Sequence, residues 1–290
     1  MYLQHFGLAQ YPFSLTPNTR YFLKLPSHQH AFDSLLAALS DDCSFSKIVG
    51  EVGTGKTMLC RKVLNALEPY PDKYLTAYIP HPILSEEATM MAFAEELGLE
   101  IEESTKFGEL LKKITGCVLE NAKQDRQVVL FIDEAQAMPE ESLKTIHLLT
   151  QALPGSNCPL QVVLFGQPEL NELLDRPMLK QLQRSVSFSY NLPSLDEAGV
   201  AAYVQHRLIK AGYSGESMFS GQALKKLFES SNGVPRLINI LCHKALMVAF
   251  GKGERAINES HMNAAIEDTD TGERSKTWSE RLFGGRFSRD

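Results

Sequence analysis

The densest chemistry in this chain lies in Gly50-Glu51-Val52-Gly53-Thr54-Gly55-Lys56-Thr57, which follows the pattern G-x-x-x-x-G-K-[ST]. Glycines at 50, 53 and 55 let a backbone close around a polyanion with no Cβ in the way, so that successive N–H groups turn inward. A helix beginning at Lys56 adds the partial positive charge of its N-terminus. Lys56 has the reach for β- and γ-phosphates, and the Thr57 hydroxyl is a hard oxygen ligand for Mg²⁺. Met58 continues the same helix start, so the expected binding segment is Gly50 through Met58, with ATP and Mg²⁺ as cofactors. A second acidic element is Asp133-Glu134, directly after the apolar run Val128-Val129-Leu130-Phe131-Ile132. An aspartate there can hold Mg²⁺ through its water shell. The following Glu134 is placed to polarise an attacking water. A glutamate in that position favours transfer of a phosphoryl group to water over transfer to a second substrate. No NKxD motif for guanine occurs.

Those groups need strands that end beside one another. Phe45 to Val49 reads as a short strand feeding the glycine turn, and Lys56 to Leu67 as the helix after it. Tyr74 to Ile79 is a second strand, stopped by Pro80 and Pro82. Helical stretches follow at about Glu86–Leu97 and Phe107–Lys123. The run 128–132, rich in β-branched residues, suits a buried central strand of a parallel sheet. A helix over 140–152, a strand over 160–165 and a less apolar, alternating strand over 186–192 complete the pattern. Strands alternating with helices predict a three-layer α/β/α domain around a parallel sheet. Past Pro193 the strand signals stop, and helical patterns follow at about 195–210, 221–230, 235–250 and 258–267. The expected organisation is an N-terminal arm and helix packing on the core over 1–40, an α/β core over 41–193 and a small helical domain over 194–270. A flexible basic and aromatic tail over 271–290 is expected to follow.

The chain has 290 residues with 29 Lys+Arg against 35 Asp+Glu, a net charge of −6. That balance argues against a globally basic nucleic-acid coat. Hydrophobic residues make up 43%, enough to build a core without metal or disulfide support. The five cysteines form no CxxC pair, as expected of reduced thiols in a cytoplasmic protein. No apolar run reaches the length of a membrane span, and the first residues lack the basic start and apolar stretch of a secretory signal. His28-x-His30 has no acidic or Cys neighbours to complete a metal site, which leaves a helix-start role. His147, His206 and His243 sit in helical patterns and read as satisfied surface or core residues. Trp278 to Phe287 alternates aromatic and basic residues, a composition open to membrane or nucleic-acid contact or to a disordered terminus.

Taken together the motifs resemble those of the AAA+ ATPases. Within them the sequence is similar to the secretion and pilus biogenesis group of the GspA/ExeA type, and nearest in length to its MSHA pilus (MshM) branch. The resemblance runs over residues 1–268 in consistent order. It is carried by Met1-Tyr2-Leu3 with His5-Phe6-Gly7-Leu8 and Pro12-Phe13, by Gly50 to Thr57, and by Ile132-Asp133-Glu134-Ala135-Gln136. Further along it is carried by Phe165-Gly166-Gln167-Pro168-Glu169-Leu170, Leu182-Gln183-Arg184 and Asn232-Gly233-Val234-Pro235-Arg236-Leu237-Ile238-Asn239. The family implies a sensor role near the γ-phosphate for Gln167, a residue longer than the Asn, Thr or Ser many members use. It implies an arginine finger reaching the neighbouring subunit's nucleotide at Arg184, with Arg176 in reserve. A lid residue binding phosphate is implied at Arg236, which follows Gly233 and the helix-start Pro235. Phe6 to Leu8 with Pro12-Phe13 would pack near the adenine.

The resemblance further implies a homo-oligomer, a ring or nucleotide-dependent assembly, hydrolysing ATP at subunit interfaces to drive pilus or secretion machinery at the inner membrane. GspA/ExeA-type proteins continue into a membrane span and a periplasmic domain. This sequence has neither, so an envelope role is expected to work through partners from the cytoplasm. Two alternatives carry the same nucleotide site: a DNA-associated transposition helper of the TniB type, which the acidity disfavours, and a nucleotide-gated scaffold with little turnover.

Overall fold

The computed structural model describes residues 2–269 apart from 17–20, 22, 24, 25, 42, 43, 83, 84, 103 and 153–157. The tail from Trp278 to Phe287 therefore lies outside the described residues. The chain divides into two compact units, one of residues 24–193 and one joining the first 23 residues to the segment from Ser194 onward.

The first unit is built on five parallel strands: β1 (Phe45–Val49), β2 (Tyr74–Ile79), β3 (Gln127–Ile132), β4 (Leu160–Gly166) and β5 (Val186–Asn191), in the order β2-β3-β4-β1-β5. β3 and β4 are buried along almost their whole length, because helices cover both faces of the sheet. β5 alternates between half-buried and exposed residues, as an edge strand does. One face packs Phe45, Leu130, Ile132, Val162 and Leu164 against four helices over Glu86–Glu96, Phe107–Ala122, Glu140–Ala152 and Glu169–Leu174. The other packs Ile48, Phe131, Val163 and Phe165 against helices over Pro26–Ser40 and Lys56–Leu67. The three-layer α/β/α architecture read from the sequence is the observed one. The sequence pattern missed the short helix Glu169–Leu174 and the six-residue helix Lys180–Ser185, which are too brief for a period of 3.6 to show.

The second unit holds helices over Tyr2–Phe6, Glu197–Lys210, Gly221–Ser231, Pro235–Gly251 and 259–269. In chain order the helices are α1 (Tyr2–Phe6), α2 (Pro26–Ser40), α3 (Lys56–Leu67), α4 (Glu86–Glu96), α5 (Phe107–Ala122) and α6 (Glu140–Ala152). They continue with α7 (Glu169–Leu174), α8 (Lys180–Ser185), α9 (Glu197–Lys210), α10 (Gly221–Ser231), α11 (Pro235–Gly251) and α12 (259–269). One expectation is corrected here: the first 40 residues are not a single arm on the α/β core. Residues up to 23 belong with the helical unit, and only α2 belongs with the sheet.

The reason lies in buried groups. Arg207 of α9 donates Nε to the Pro12 carbonyl at 2.5 Å and Nη2 to that of Ser14 at 3.1 Å, with its guanidinium over the Tyr21 ring. Ala9 N–H donates to the Ala211 carbonyl, and the Phe13 ring meets Phe219 edge-on. Phe6, Leu8 and Phe13 are all buried in this unit. Gly233, at φ +70°, sits so close to the Leu195 carbonyl that a Cβ would lie 1.8 Å from its oxygen. That contact locks the turn between α10 and α11.

Among the described residues no helix is long and apolar enough to cross a membrane. Cys60 and Cys242 are buried free thiols, and burial pushes both pKa values well up. His147 corrects a further expectation. It is buried, yet neither ring nitrogen has a hydrogen-bond partner among the described residues, and burial holds its pKa down, so the ring packs as an apolar group against Phe45.

Candidate active site

Three parallel strands end side by side, with Val49 paired to Gly166 and Ile132 to Leu164, and the segments leaving their C-terminal ends are joined by hydrogen bonds between Thr57 and Asp133 and between Gln167 and Glu134. This is where ligands sit in open parallel sheets.

The loop after β1 turns through two glycines at positive φ, Gly53 (+83°) and Gly55 (+104°), values an L side chain rarely adopts. Thr54 Oγ1 donates to the Glu51 carbonyl at 2.9 Å, closing the turn. The N–H groups of Gly53, Gly55, Lys56 and Thr57 donate to no acceptor among the described residues, leaving a set of convergent donors at the start of α3. Lys56 is 5% exposed, and its Nζ donates to the Gly50 and Glu51 carbonyls at 2.8 and 3.0 Å. Burial lowers its pKa, with Glu134, Asp133, Glu51 and Glu169 acting in opposition.

Thr57 Oγ1 donates to Asp133 Oδ2 at 2.5 Å, so the two residues read as magnesium ligands lie together. Burial raises the Asp133 pKa, partly offset by the Thr57 hydroxyl, the Glu134 N–H and Lys56. Glu134 itself adopts φ +53°, a left-handed conformation uncommon outside glycine, which swings the chain off β3 into a short 3₁₀ turn over Ala135–Ala137. Its Oε2 accepts two amide donors: Gln136 Nε2 at 2.6 Å and Gln167 Nε2 at 3.0 Å. Gln136 Oε1 in turn accepts the Gln167 backbone N–H at 3.0 Å. Gly166 leaves room for this, since a Cβ there would come within 3.1 Å of Gln136 Oε1. Burial alone would raise the Glu134 pKa; the two amides, Lys56 and His81 more than offset it, so the carboxyl sits below its usual range.

The structure thus brings Lys56, Thr57, Asp133, Glu134 and Gln167 together. Within the same unit, neither Arg176 nor Arg184 is bonded to any of the five among the described residues. Arg184 stands exposed in the last turn of α8 and makes no hydrogen bond or ion pair with another described residue. Arg176, by contrast, is held within its own chain by Glu140 at 2.6 Å. Arg236 is exposed in the first turn of α11, in the helical unit.

Residues 39–174 match the AAA domain family. The chain is 36% identical over 283 residues to the general secretion pathway protein A of Aeromonas hydrophila, an alignment covering 98% of this chain and 51% of that protein. The chain therefore spans about half the length of that relative. Among solved structures it is similar to the ORC2 protein of Aeropyrum pernix in its ADPNP–ADP complexes. The identity is 16%, the TM-score 0.64, and the match covers 89% of this chain and 71% of that one. It is also similar to Cdc6p of Pyrobaculum aerophilum, with 16% identity, a TM-score of 0.65, and 85% and 67% of the two chains covered. The fold is that of an AAA+ P-loop ATPase. The segment matched as an AAA domain encloses the loop, Asp133, Glu134 and Gln167, and stops before Arg176, Arg184 and Arg236.

The groups present fit a magnesium nucleotide. Free backbone donors and one lysine suit phosphate oxygens, and a hydroxyl beside a single carboxylate suits Mg²⁺, which takes few protein ligands and completes its shell with phosphate and water. No cluster of three or more His, Cys, Asp or Glu among the described residues offers a different metal site. Two participants escaped the sequence reading. Gln136 was visible only as a motif letter, because a left-handed turn at Glu134 decides where its side chain goes. His28 lies in the first turn of α2, as its place in the sequence predicts, and in addition its ring is buried with Nε2 3.0 Å from the Thr54 carbonyl.

Proposed function

We propose that this chain binds and hydrolyses ATP, and that turnover serves the assembly of a secretion or type IV, MSHA-like pilus machine at the cytoplasmic face of the inner membrane. The observation that carries the enzymatic part is the convergence of Lys56, Thr57, Asp133, Glu134 and Gln167 at the ends of β1, β3 and β4. The secretion part rests on likeness to the general secretion pathway protein A.

In this reading the loop N–H groups and Lys56, released from its carbonyls, hold the β- and γ-phosphates. Thr57 and Asp133 would hold Mg²⁺, which would supply positive charge beside the phosphates when bound. Two amides occupy Glu134 Oε2, so Oε1 is the oxygen left to accept the proton of a water as its oxygen bonds to the γ-phosphorus and the bond from that phosphorus to the β,γ-bridging oxygen breaks, the electron pair leaving with ADP. The Gln167 amide keeps that carboxylate in place. Arg184, exposed and without an internal partner among the described residues, is the group offered to the nucleotide of a neighbouring copy, where it would offset transition-state charge.

The test is ATP turnover by the purified chain and by Glu134→Gln. The expected result is a fall of about 10²–10⁴-fold in kcat with nucleotide still bound. An unchanged rate would overturn the role of Glu134. Mixing Arg184→Ala with Lys56→Ala protein tests the shared site: recovered turnover supports an arginine acting in trans, and no recovery overturns it.

A further inference from the structure

The chain passes between its two compact units at 23–24 and again at 193–194. Inside the α/β unit, the residues next to each crossing are held against the phosphate loop or the end of the strand that feeds it. After the first crossing comes His28 of α2, whose Nε2 lies 3.0 Å from the Thr54 carbonyl. Before the second comes Leu192, whose N–H donates to the Val49 carbonyl at 2.7 Å and whose own carbonyl abuts Gly50, where a Cβ would lie 2.8 Å from it. The two segments are also bonded to each other: Tyr190 Oη donates to the Ser27 carbonyl at 3.0 Å, and the His30 and Tyr190 rings lie 5.6 Å apart.

The proton on His28 follows from its partner. A carbonyl oxygen only accepts, so Nε2 carries the hydrogen; in a neutral ring Nδ1 is then an acceptor, and the Ser27 hydroxyl stands 3.3 Å from it. A trans peptide points its C=O and N–H to opposite sides. Holding the Thr54 carbonyl toward His28 therefore aims the Gly55 N–H, one of the unpaired donors, away from α2. The ring also fills the space beside Gly55, where a Cβ would lie 3.5 Å from Nε2.

We propose that His28 is a positioning residue for the phosphate loop, and that with Tyr190 it forms a clasp tying both exits of the chain from the α/β unit to that loop. The consequence is coupling: a pull on either exit reaches Thr54 and Gly55, and filling the loop with phosphate stiffens both exits. For nucleotide affinity this rests on the function proposed above.

The experiment compares wild type, His28→Phe, His28→Gln and Tyr190→Phe as full chains. His28→Phe keeps a ring of similar size and removes the donor; His28→Gln keeps a donor near the Nε2 position. Loss of one such hydrogen bond is expected to raise the Kd of a fluorescent ADP about tenfold in His28→Phe and about threefold in Tyr190→Phe. His28→Gln should restore most of the affinity. In turnover assays KM should rise with kcat little changed, the mark of binding lost equally from ground and transition states. Hydrogen exchange over residues 50–58 of the nucleotide-free protein gives a second, independent reading: faster in His28→Phe, near wild type in His28→Gln. Equal affinity and equal exchange in His28→Phe would overturn the proposal, as would His28→Gln behaving like His28→Phe. A wild-type chain that bound no nucleotide would sink the proposed function instead, while the exchange measurement would still decide the clasp.

Discussion

Lys56 and Arg207 are both buried cations that bond loop carbonyls, one in each unit, and they are put to different uses. Lys56 holds the Gly50 and Glu51 carbonyls, next to N–H groups that have no acceptor among the described residues, with the carboxylates of Asp133 and Glu134 acting on it. Arg207 holds the Pro12 and Ser14 carbonyls and is enclosed by the Tyr21 and Tyr203 rings, with the Tyr203 hydroxyl taking a further hydrogen at 2.7 Å. The first arrangement can exchange its carbonyls for phosphates, because the surroundings offer more donors than acceptors. The second is complete as it stands, since every acceptor belongs to the fold. A buried cation marks a site when its neighbours still want a partner, and a structural post when they do not.

That contrast can be broken by substitution. Lys56→Ala should weaken ATP binding by about 100-fold or more, the loss of a charge-assisted phosphate contact, while thermal unfolding stays near wild type. Binding by calorimetry and unfolding by circular dichroism read the two effects separately. Gly233→Ala should act the opposite way, destabilising the helical unit by roughly 2–4 kcal/mol because a Cβ cannot coexist with the Leu195 carbonyl. Chemical denaturation measures it, and an unchanged midpoint would contradict the geometry. Arg207→Met should likewise destabilise, by about 1–3 kcal/mol for the buried carbonyls left unpaired, with residues 12–14 becoming protease-sensitive. If Arg207→Met abolished nucleotide binding while leaving stability intact, the division between the two cations would be wrong.

The smallest effect concerns alkaline pH. Each unit holds one tyrosine pushed up to about 12: Tyr2, by burial and then by Tyr11, and Tyr78, by burial and then by Cys60 and Asp133. These folded-state values exceed the ordinary tyrosine value of about 10, so between pH 10 and about 12 the unfolded chain sheds protons that the folded chain keeps. Stability therefore falls as pH rises through that window and levels off above it. Ultraviolet titration of Tyr2→Phe and Tyr78→Phe should each remove one late-ionising tyrosine.

Most of the α/β unit was legible in the amino-acid order because its signals are local. An apolar run rich in β-branched residues is a buried strand wherever it falls, and the pattern from Gly50 to Thr57 states its chemistry in adjacent residues. Asp133 and Glu134 were legible because they directly follow such a run. The first 23 residues were not, because their allegiance depends on where Arg207 and Ala211 sit, about 200 residues away. The short helices that carry Leu170 and Arg184 were hidden for a simpler reason: one or two turns leave no periodicity to read.

The amino-acid sequence by itself determined the parallel sheet, the phosphate loop and the acidic pair, since each follows from neighbours along the chain. Only the tertiary structure decided that Gln136 and Gln167 share one oxygen of Glu134, that His28 backs the loop, and that among the described residues Arg184 has no partner while Arg176 is paired. Those outcomes depend on backbone angles at single residues and on which loops end side by side, and a hydrogen bond needs an ångström-scale meeting of groups that no spacing along a chain encodes.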